Sequence, residues 1–145
     1  MLDLSVLKDH LPLSVLEKAL LELDQAEYEM NHTFSEGLYA RQRFAKAGTL
    51  IIGKRHRRET MSILLKGTLS VYMDKDGPVK HIEAPCIWVT KAGSKRMTYS
   101  HTDTLLVTIH PTKETDLEKI ETEFVIPEEE YLLQETKSIE GGGAV

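Results

Sequence analysis

The chain has 145 residues, of which 41% are hydrophobic, and a formal net charge of −5. This length fits one domain with a hydrophobic core, and the hydrophobic fraction excludes a chain that is disordered throughout. The sequence has no apolar run of about 18 residues, no basic leader before an apolar stretch and a single cysteine, so we expect no membrane segment, no secretion and a cytoplasmic location.

Residues 1–36 are predicted to form an N-terminal helical segment. Between Val15 and Ala26, apolar residues recur at helical spacing and predict one helix over residues 3–29. The segment carries two basic and eight acidic residues. We expect the apolar stripe of this helix to pack on the rest of the chain or on a second copy.

Residues 37–110 change to short strands separated by turns. Leu69, Val71 and Met73 alternate with polar neighbours, which is typical of a half-buried antiparallel strand. Eight short strands at this spacing predict a mainly β domain, a small antiparallel barrel or jelly roll. The predicted strands cover residues 39–44, 49–52, 61–65, 68–73, 79–82, 87–90, 95–99 and 104–110.

Residues 111–145 are predicted to form a short acidic helix over residues 111–121, capped by Thr112 or Thr115, followed by a flexible acidic tail. This end carries three basic and ten acidic residues, whereas the predicted β domain carries thirteen basic and five acidic residues. Acidic ends repel a long polyanion more than a small anion. The charge distribution therefore favours a small anionic ligand over nucleic acid.

The most informative segment covers residues 53–60, with the sequence Gly-Lys-Arg-His-Arg-Arg-Glu-Thr, directly before a predicted strand. Metal sites concentrate neutral imidazoles and carboxylates around a cation. This segment instead places five side chains that can carry positive charge in a row, which suits an anion.

The segment resembles the first motif of the cupin superfamily, in which two histidines flank one residue and precede a glutamate and a glycine. With Gly67 as that glycine, Lys54 and His56 stand at the histidine positions and Thr60 stands at the glutamate position. Glu59 lies one position away. The resemblance implies a cupin-like jelly-roll barrel whose strands line a cup.

The second cupin motif resembles residues 91–96, Lys-Ala-Gly-Ser-Lys-Arg, and places Arg96 at its histidine position. Of the four usual metal ligands only His56 remains. Lys54 and Arg96 are protonated at neutral pH and would repel a divalent cation. We therefore expect no metal ion and no other cofactor.

A wider set of segments resembles small cupin-like proteins of tailed phages. If the protein is viral, the host cytoplasm is its expected location and sequestration of a host ligand is its expected role. The matching segments are residues 53–56, 84–85, 93–96, 99–104, 109–112 and 114–121.

The resemblance and the strand alternation place Lys54, His56 and Arg96 inside the cup. The predicted ligand-binding residues are Lys54, His56, Glu59, Lys95, Arg96, Tyr99 and His101. The ligand would be a nucleotide or a phosphosugar held by charge-assisted hydrogen bonds.

An internal partner is the alternative to a ligand. Glu59 or Asp103 would then pair with Arg96 and Lys54, because like charges buried together need compensation. In either case Tyr39, Arg41 and Arg43 share one strand face and would line the same cup; their numbers place them two residues apart.

Two further functions remain open. Metal-independent sugar-nucleotide isomerases and epimerases of the superfamily use a histidine base and a tyrosine acid, which implies His56 with Tyr39 or Tyr99 as the catalytic pair. A structural or assembly protein would instead have a closed barrel filled by methionines. We also expect a homodimer that forms through the N-terminal helix and an edge strand.

Overall fold

The computed structural model describes residues 13–74, 78–127 and 129–131 of the chain. Helix α1 (Leu13–Leu21) precedes the strands in chain order, and helix α2 (Leu117–Phe124) lies between the last two strands. The strands are β1 (Glu29–Ser35), β2 (Leu38–Ala45), β3 (Leu50–Ile52), β4 (Arg55–His56), β5 (Thr60–Lys66), β6 (Thr68–Met73), β7 (Lys80–Glu83), β8 (Cys86–Thr90), β9 (Arg96–Ser100), β10 (Thr104–Pro111) and β11 (Val125–Ile126).

The strands form two antiparallel sheets that enclose the interior. The larger sheet has the order β1-β2-β10-β5-β8 and the smaller has the order β3-β9-β6-β7. A short ladder joins β4 to β11. The predicted fold class, a mainly β antiparallel jelly roll, is confirmed.

One end of the interior is apolar. Leu64 and Leu106 of the larger sheet meet Leu69 and Val71 of the smaller sheet, and Met73 completes this cluster. Burial of such side chains contributes about 1.5–3 kcal/mol each to folding. This cluster closes the sandwich at that end and leaves the opposite end free for polar side chains.

Alternation along the strands separates the polar side chains from the apolar ones. On β9, Arg96 and Thr98 lie between the sheets, whereas Met97 and Tyr99 lie on the outer face of the smaller sheet. On β2, three successive inward positions pair with inward positions of β10, and these pairs run from the polar end to the apolar end. The pairs are Tyr39 with His110, Arg41 with Thr108, and Arg43 with Leu106.

Helix α1 covers the outer face of the smaller sheet. Leu13 and Leu16 pack against Met97 there. Lys95 is only 2% exposed beneath the helix, and its Nζ lies 3.1 Å from an Oε2 of Glu17. The apolar stripe of α1 is therefore used within the chain.

The β5–β6 turn requires a glycine. Gly67 has a φ of 93°, and a Cβ built there would lie 2.2 Å from the carbonyl oxygen of Asp103. Both the backbone conformation and the lack of space exclude a side chain. The turn geometry thus explains why a glycine stands at position 67, the position used to align the first motif.

The predicted elements and the structure differ at the two ends of the chain. The eight predicted strands correspond to β2, β3 and β5 to β10. Of the helix predicted over residues 3–29, residues 3–12 lie outside the described residues, and the described part ends at Leu21. Strand β1, from the predicted N-terminal helical segment, belongs to the larger sheet. Helix α2 is capped by Asp116, whose carboxylate accepts hydrogen bonds from the backbone of Glu118 and Lys119, and not by a threonine. The predicted tail from residue 132 onward lies outside the described residues.

The outer face of the larger sheet is apolar. Exposed side chains of neighbouring strands stand side by side on it, with Met61 of β5 paired with Val89 of β8 and Ile63 paired with Ile87, which is 64% exposed. Exposed apolar patches often mark contact surfaces. The homodimer remains a prediction.

Among the described residues, neither helix has the length and the apolar character of a membrane-spanning segment.

Candidate functional site

A central cavity of about 360 Å³ lies between the two sheets at their polar end. Side chains from β1, β2, β3, β4, β5, β8, β9, β10, β11 and helix α2 line it. A pocket of this size suits a small molecule.

Three arginines line the central cavity, namely Arg41, Arg43 and Arg96. Arg43 donates a hydrogen bond to Oγ1 of Thr98 at 3.1 Å, and Arg96 donates one to Oγ of Ser62 at 3.0 Å. Within the described part of the chain, no carboxylate forms an ion pair with any of the three. Arg43 and Arg96 therefore have hydroxyl partners, and none of the three arginines has a described countercharge.

Burial and mutual repulsion act on these guanidinium groups. Burial, followed by the charges of Arg43 and Arg41, lowers the pKa of Arg96 to about 9. Burial is also the main cause that lowers the pKa of Arg43 to about 10, with Arg41 adding to the effect. Both groups stay protonated at neutral pH, so the cavity keeps its positive charge.

Two histidines lie beside the arginines. The rings of His56 and His110 have their centroids 5.2 Å apart in an edge-to-face arrangement. Burial is the first cause that lowers the pKa of His56 to about 3 and that of His110 to about 4, and neighbouring charges including Arg41 and Arg96 lower both further. Both imidazoles are therefore neutral at physiological pH and offer hydrogen bonds without charge.

A tyrosine and a third histidine complete this wall. The hydroxyl of Tyr39 lies 2.7 Å from Nδ1 of His32. The ring of Tyr39 is stacked on Phe34 and on His110, with centroid distances of 5.0 Å and 5.6 Å. Burial raises the pKa of the Tyr39 hydroxyl, so this group stays protonated.

The mouth of the cavity is formed by exposed lining residues from β1, α2 and the β3–β4 loop. Lys54 in that loop forms an ion pair with Glu121 of α2, and both side chains are more than half exposed. This pair crosses the rim and is the one described ion pair made by lining residues.

Helix α2 closes the cavity next to the histidines. Ile120 and Phe124 are buried against Tyr39. The chain after the helix pairs with β4, and Arg57 makes two hydrogen bonds of 2.8 Å to Glu130. These contacts hold the helix on the barrel.

Four buried polar atoms of cavity-lining residues have no hydrogen-bond partner among the residues that the structure describes. They are Nε of Arg43, Oγ1 of Thr90, Oγ of Ser94 and Nδ1 of His110. Buried polar groups are almost always hydrogen-bonded. Their concentration around one cavity marks it as a place where a bound molecule would find partners.

Known structures share this architecture. Ectoine synthase from P. lautus matches with a TM-score of 0.56 at 13% identity, over 70% of this chain and 75% of that protein. A cupin superfamily protein from Desulfitobacterium hafniense matches with a TM-score of 0.51 at 10% identity, over 65% and 85%. KdgF from Halomonas sp. matches with a TM-score of 0.51 at 12% identity, over 64% and 91%.

The chain has the cupin fold. At these identities the likeness concerns the fold alone. Comparison of the sequence with protein-family models and with curated proteins gives no match.

Three of the predicted ligand-binding residues come together in the central cavity. His56 and Arg96 line its wall, and Lys54 lines its mouth. Arg41 and Arg43, which strand alternation places on the same face as Tyr39, line it as well. Parity along β2 is sufficient to find Arg41 and Arg43.

Four predicted residues lie elsewhere. Tyr99 is packed under α1 and His101 is hydrogen-bonded to Ser70 at 2.6 Å, while Lys95 is buried under α1. Glu59 is exposed and is not part of the cavity wall. Lys95 and Tyr99 are one and three positions from Arg96, and odd spacing on a strand puts side chains on opposite faces.

The predicted pairing of Arg96 and Lys54 with Glu59 or Asp103 is not what the structure shows. Arg96 bonds to Ser62, and Lys54 pairs with Glu121. Asp103 accepts a hydrogen bond from the backbone of Ala47 at 3.0 Å. Glu121 was not predicted because the helix that carries it reaches the cavity only through tertiary packing.

His32, Thr90 and Ser94 are further cavity residues that the sequence analysis did not select. A signal existed for His32, because Met30, His32 and Phe34 alternate with polar residues as in a strand. Nothing in the sequence distinguishes Thr90 and Ser94 from surface hydroxyls.

The residues at the motif positions do not fit a divalent metal ion. Lys54, Thr60 and Arg96 occupy three of the four motif positions, and two of them are cationic. The described residues contain no group of three histidines, cysteines or acidic residues that could hold a metal.

Proposed function

We propose that this cupin binds a small anionic ligand in its central cavity. The observation that carries the proposal is that Arg41, Arg43 and Arg96 line one cavity without a described carboxylate partner. Like charges that are brought together out of water cost several kcal/mol unless an opposite charge compensates them. A bound anion supplies that charge.

The chemistry of the arginines indicates which anions fit. A guanidinium group presents several N–H donors in a plane and binds the oxygens of phosphates and carboxylates with short, charge-assisted hydrogen bonds. Arg43 and Arg96 each use one N–H group on a protein hydroxyl and keep others for the cavity. A nucleotide or a phosphosugar carries such an oxyanion, and sequestration of such a ligand by a phage-encoded protein remains a prediction.

Two alternatives have less support. For a metal-independent isomerase, Tyr99 lies outside the cavity and the hydroxyl of Tyr39 is already hydrogen-bonded to His32. For a structural protein with a closed barrel, Met73 and Met97 belong to the apolar clusters and leave the cavity open. The isomerase remains a prediction that no contact favours.

Ligand binding is expected to stabilise the protein against heat. A phosphate-bearing ligand at about 100 times its Kd adds about 2.7 kcal/mol to the free energy of unfolding. For a domain of this size that raises Tm by about 5–15 °C. Differential scanning fluorimetry with a panel of nucleotides and phosphosugars measures this shift.

The uncharged parent nucleosides and sugars are the matched controls in this panel. They should leave Tm unchanged at the same concentrations if the anionic group is what the cavity recognises. A panel in which no phosphate-bearing compound raises Tm would contradict the proposal.

Glu121→Gln is expected to raise the affinity for an anion by about 2- to 5-fold. Glu121 forms an ion pair with Lys54 at the mouth, and its negative charge repels an incoming anion. The effect is small because both side chains are exposed and water screens their charges. Glu118→Gln is the control, because Glu118 lies on the same helix and does not line the cavity. Isothermal titration calorimetry with inorganic phosphate should show the gain only in the first variant, and equal effects in both would assign it to net charge.

A further inference from the structure

The polar groups of the central cavity are divided into two parts. Arg41 and Arg43 pair with Thr108 and Leu106 of β10, toward the apolar core. His110 lies at the other end of β10, where its ring contacts Phe124 of helix α2. Thr90 at the end of β8 and Ser94 in the following turn belong to the same side as the histidines, because the backbone of the turn is hydrogen-bonded to β4. The cavity thus has a cationic part and a neutral part. We call the neutral part, formed by Thr90, Ser94 and His110, the hydroxyl side.

The hydroxyl side is buried and unsatisfied. Thr90, Ser94 and His110 are 6%, 3% and 2% exposed, and Oγ1, Oγ and Nδ1 of these residues have no hydrogen-bond partner in the described part of the chain. An unsatisfied buried polar group costs about 1–3 kcal/mol. Three of them on one wall therefore need a reason, and a bound molecule with hydrogen-bonding groups supplies one.

The chemistry of these three groups selects the partner. A threonine or serine hydroxyl can both donate and accept a hydrogen bond, and a neutral imidazole nitrogen does one or the other. An oxyanion only accepts, and it finds better partners among the arginines. A ligand hydroxyl both donates and accepts, so it matches the hydroxyl side.

The neutral state of the histidines agrees with this division. Burial keeps the pKa of His110 at about 4 and that of His56 at about 3. Neither ring adds positive charge to the hydroxyl side at neutral pH. The aromatic ring of Tyr39 is covered by Phe34 and His110, so it offers no free face for a nucleobase.

We infer that the ligand is a hydroxylated carbon chain or ring that carries one phosphate or carboxylate group. Its anionic group binds the arginines, and its hydroxyl groups bind Thr90, Ser94 and His110. This inference rests on the proposed function and adds to it the part of the molecule that the anion carries. Sugar phosphates and sugar acids share this chemistry.

Isothermal titration calorimetry on the full chain tests the inference with matched probes. Ribose 5-phosphate is compared with methyl phosphate, and gluconate is compared with acetate. We expect the hydroxylated member of at least one pair to bind at least 10-fold more tightly. The pair that shows the preference identifies whether the source of the anion is a phosphate or a carboxylate.

Two variants locate the preference. Thr90→Val and Ser94→Ala remove one hydroxyl each and should weaken the hydroxylated probe by about 3- to 10-fold, as expected for one hydrogen bond. The affinity for methyl phosphate should stay within about two-fold, which also shows that the variants are folded. Thr33→Val, on an exposed strand position outside the cavity, is the control.

The outcomes separate this inference from the proposed function. Equal affinity for the hydroxylated and simple members of both pairs overturns the inference and leaves anion binding in place. A nucleoside monophosphate that binds at least 10-fold more tightly than ribose 5-phosphate also overturns it, because the base would then be recognised. If none of the anions binds, both proposals fall.

Discussion

Replacement of Arg96 with glutamine is expected to lower the affinity for phosphate-bearing ligands by about 10- to 100-fold. A hydrogen bond to a charged group contributes about 1.5–3 kcal/mol, and the guanidinium makes such bonds from inside the cavity, where water screens them little. Arg96 also experiences the charges of Arg43 and Arg41, which add to burial in lowering its pKa. Isothermal titration calorimetry with inorganic phosphate and with ribose 5-phosphate measures the loss.

The same variant should not destabilise the ligand-free protein. Removal of Arg96 relieves repulsion from Arg41 and Arg43, and glutamine keeps a donor for the hydroxyl of Ser62. We expect an unchanged or higher urea midpoint. Opposite effects on affinity and stability are what a ligand-binding residue would produce, whereas a structural residue would lower both.

Arg58→Gln is the matched control for Arg96→Gln. Arg58 has the same side chain, is exposed and is not part of the cavity wall. It should change phosphate affinity by less than about two-fold, because a screened surface charge contributes little. A similar loss in both variants would show that only the net charge of the domain attracts the anion.

The free energy of unfolding is expected to fall by about 2–5 kcal/mol between pH 7 and pH 4.5, in part because of His56 and His110. The pKa of each is depressed in the folded protein, to about 3 and about 4, from an ordinary value near 6.5. The unfolded chain therefore binds protons in a range where the folded protein does not. The stabilisation is present above about pH 6.5 and is lost as the pH falls toward the folded pKa values.

A variant isolates the histidine contribution from that of the carboxylates. His110→Asn should remove roughly half of the excess loss between pH 6.5 and pH 4.5, since each histidine contributes up to about 1.4 kcal/mol per pH unit. Urea denaturation at several pH values measures the slope. His81→Gln, at an exposed position of β7, is the control, and identical slopes for the wild type and His110→Asn would contradict the prediction.

The strands could be predicted because their pattern is local. Alternation of apolar and polar residues marked β6, and punctuation by glycine and polar turns separated the others. Strand β1 was missed although Met30, His32 and Phe34 alternate with polar residues, because this short exposed stretch follows directly on the predicted helix. Its place in the sheet depends on pairing with β2, which is a tertiary property.

The candidate site was predictable only as far as strand parity extends. Lys54, His56 and Arg96 follow from motif positions, and Arg41 and Arg43 follow from their spacing with Tyr39. Tyr99 was selected for its chemistry against its parity, and it lies on the outer face.

The sequence by itself determined the antiparallel β class, the basic middle of the chain and the replacement of metal ligands by cationic residues, because each of these is a property of residue identity and spacing. Only the tertiary structure decided where the countercharges lie. It placed Glu121 at the mouth through packing of α2, and it buried the hydroxyl groups of Thr90 and Ser94 beside the cavity without a hydrogen-bond partner among the described residues. Hydrogen-bond satisfaction depends on which groups meet in space, and residues that meet across the cavity are far apart along the chain.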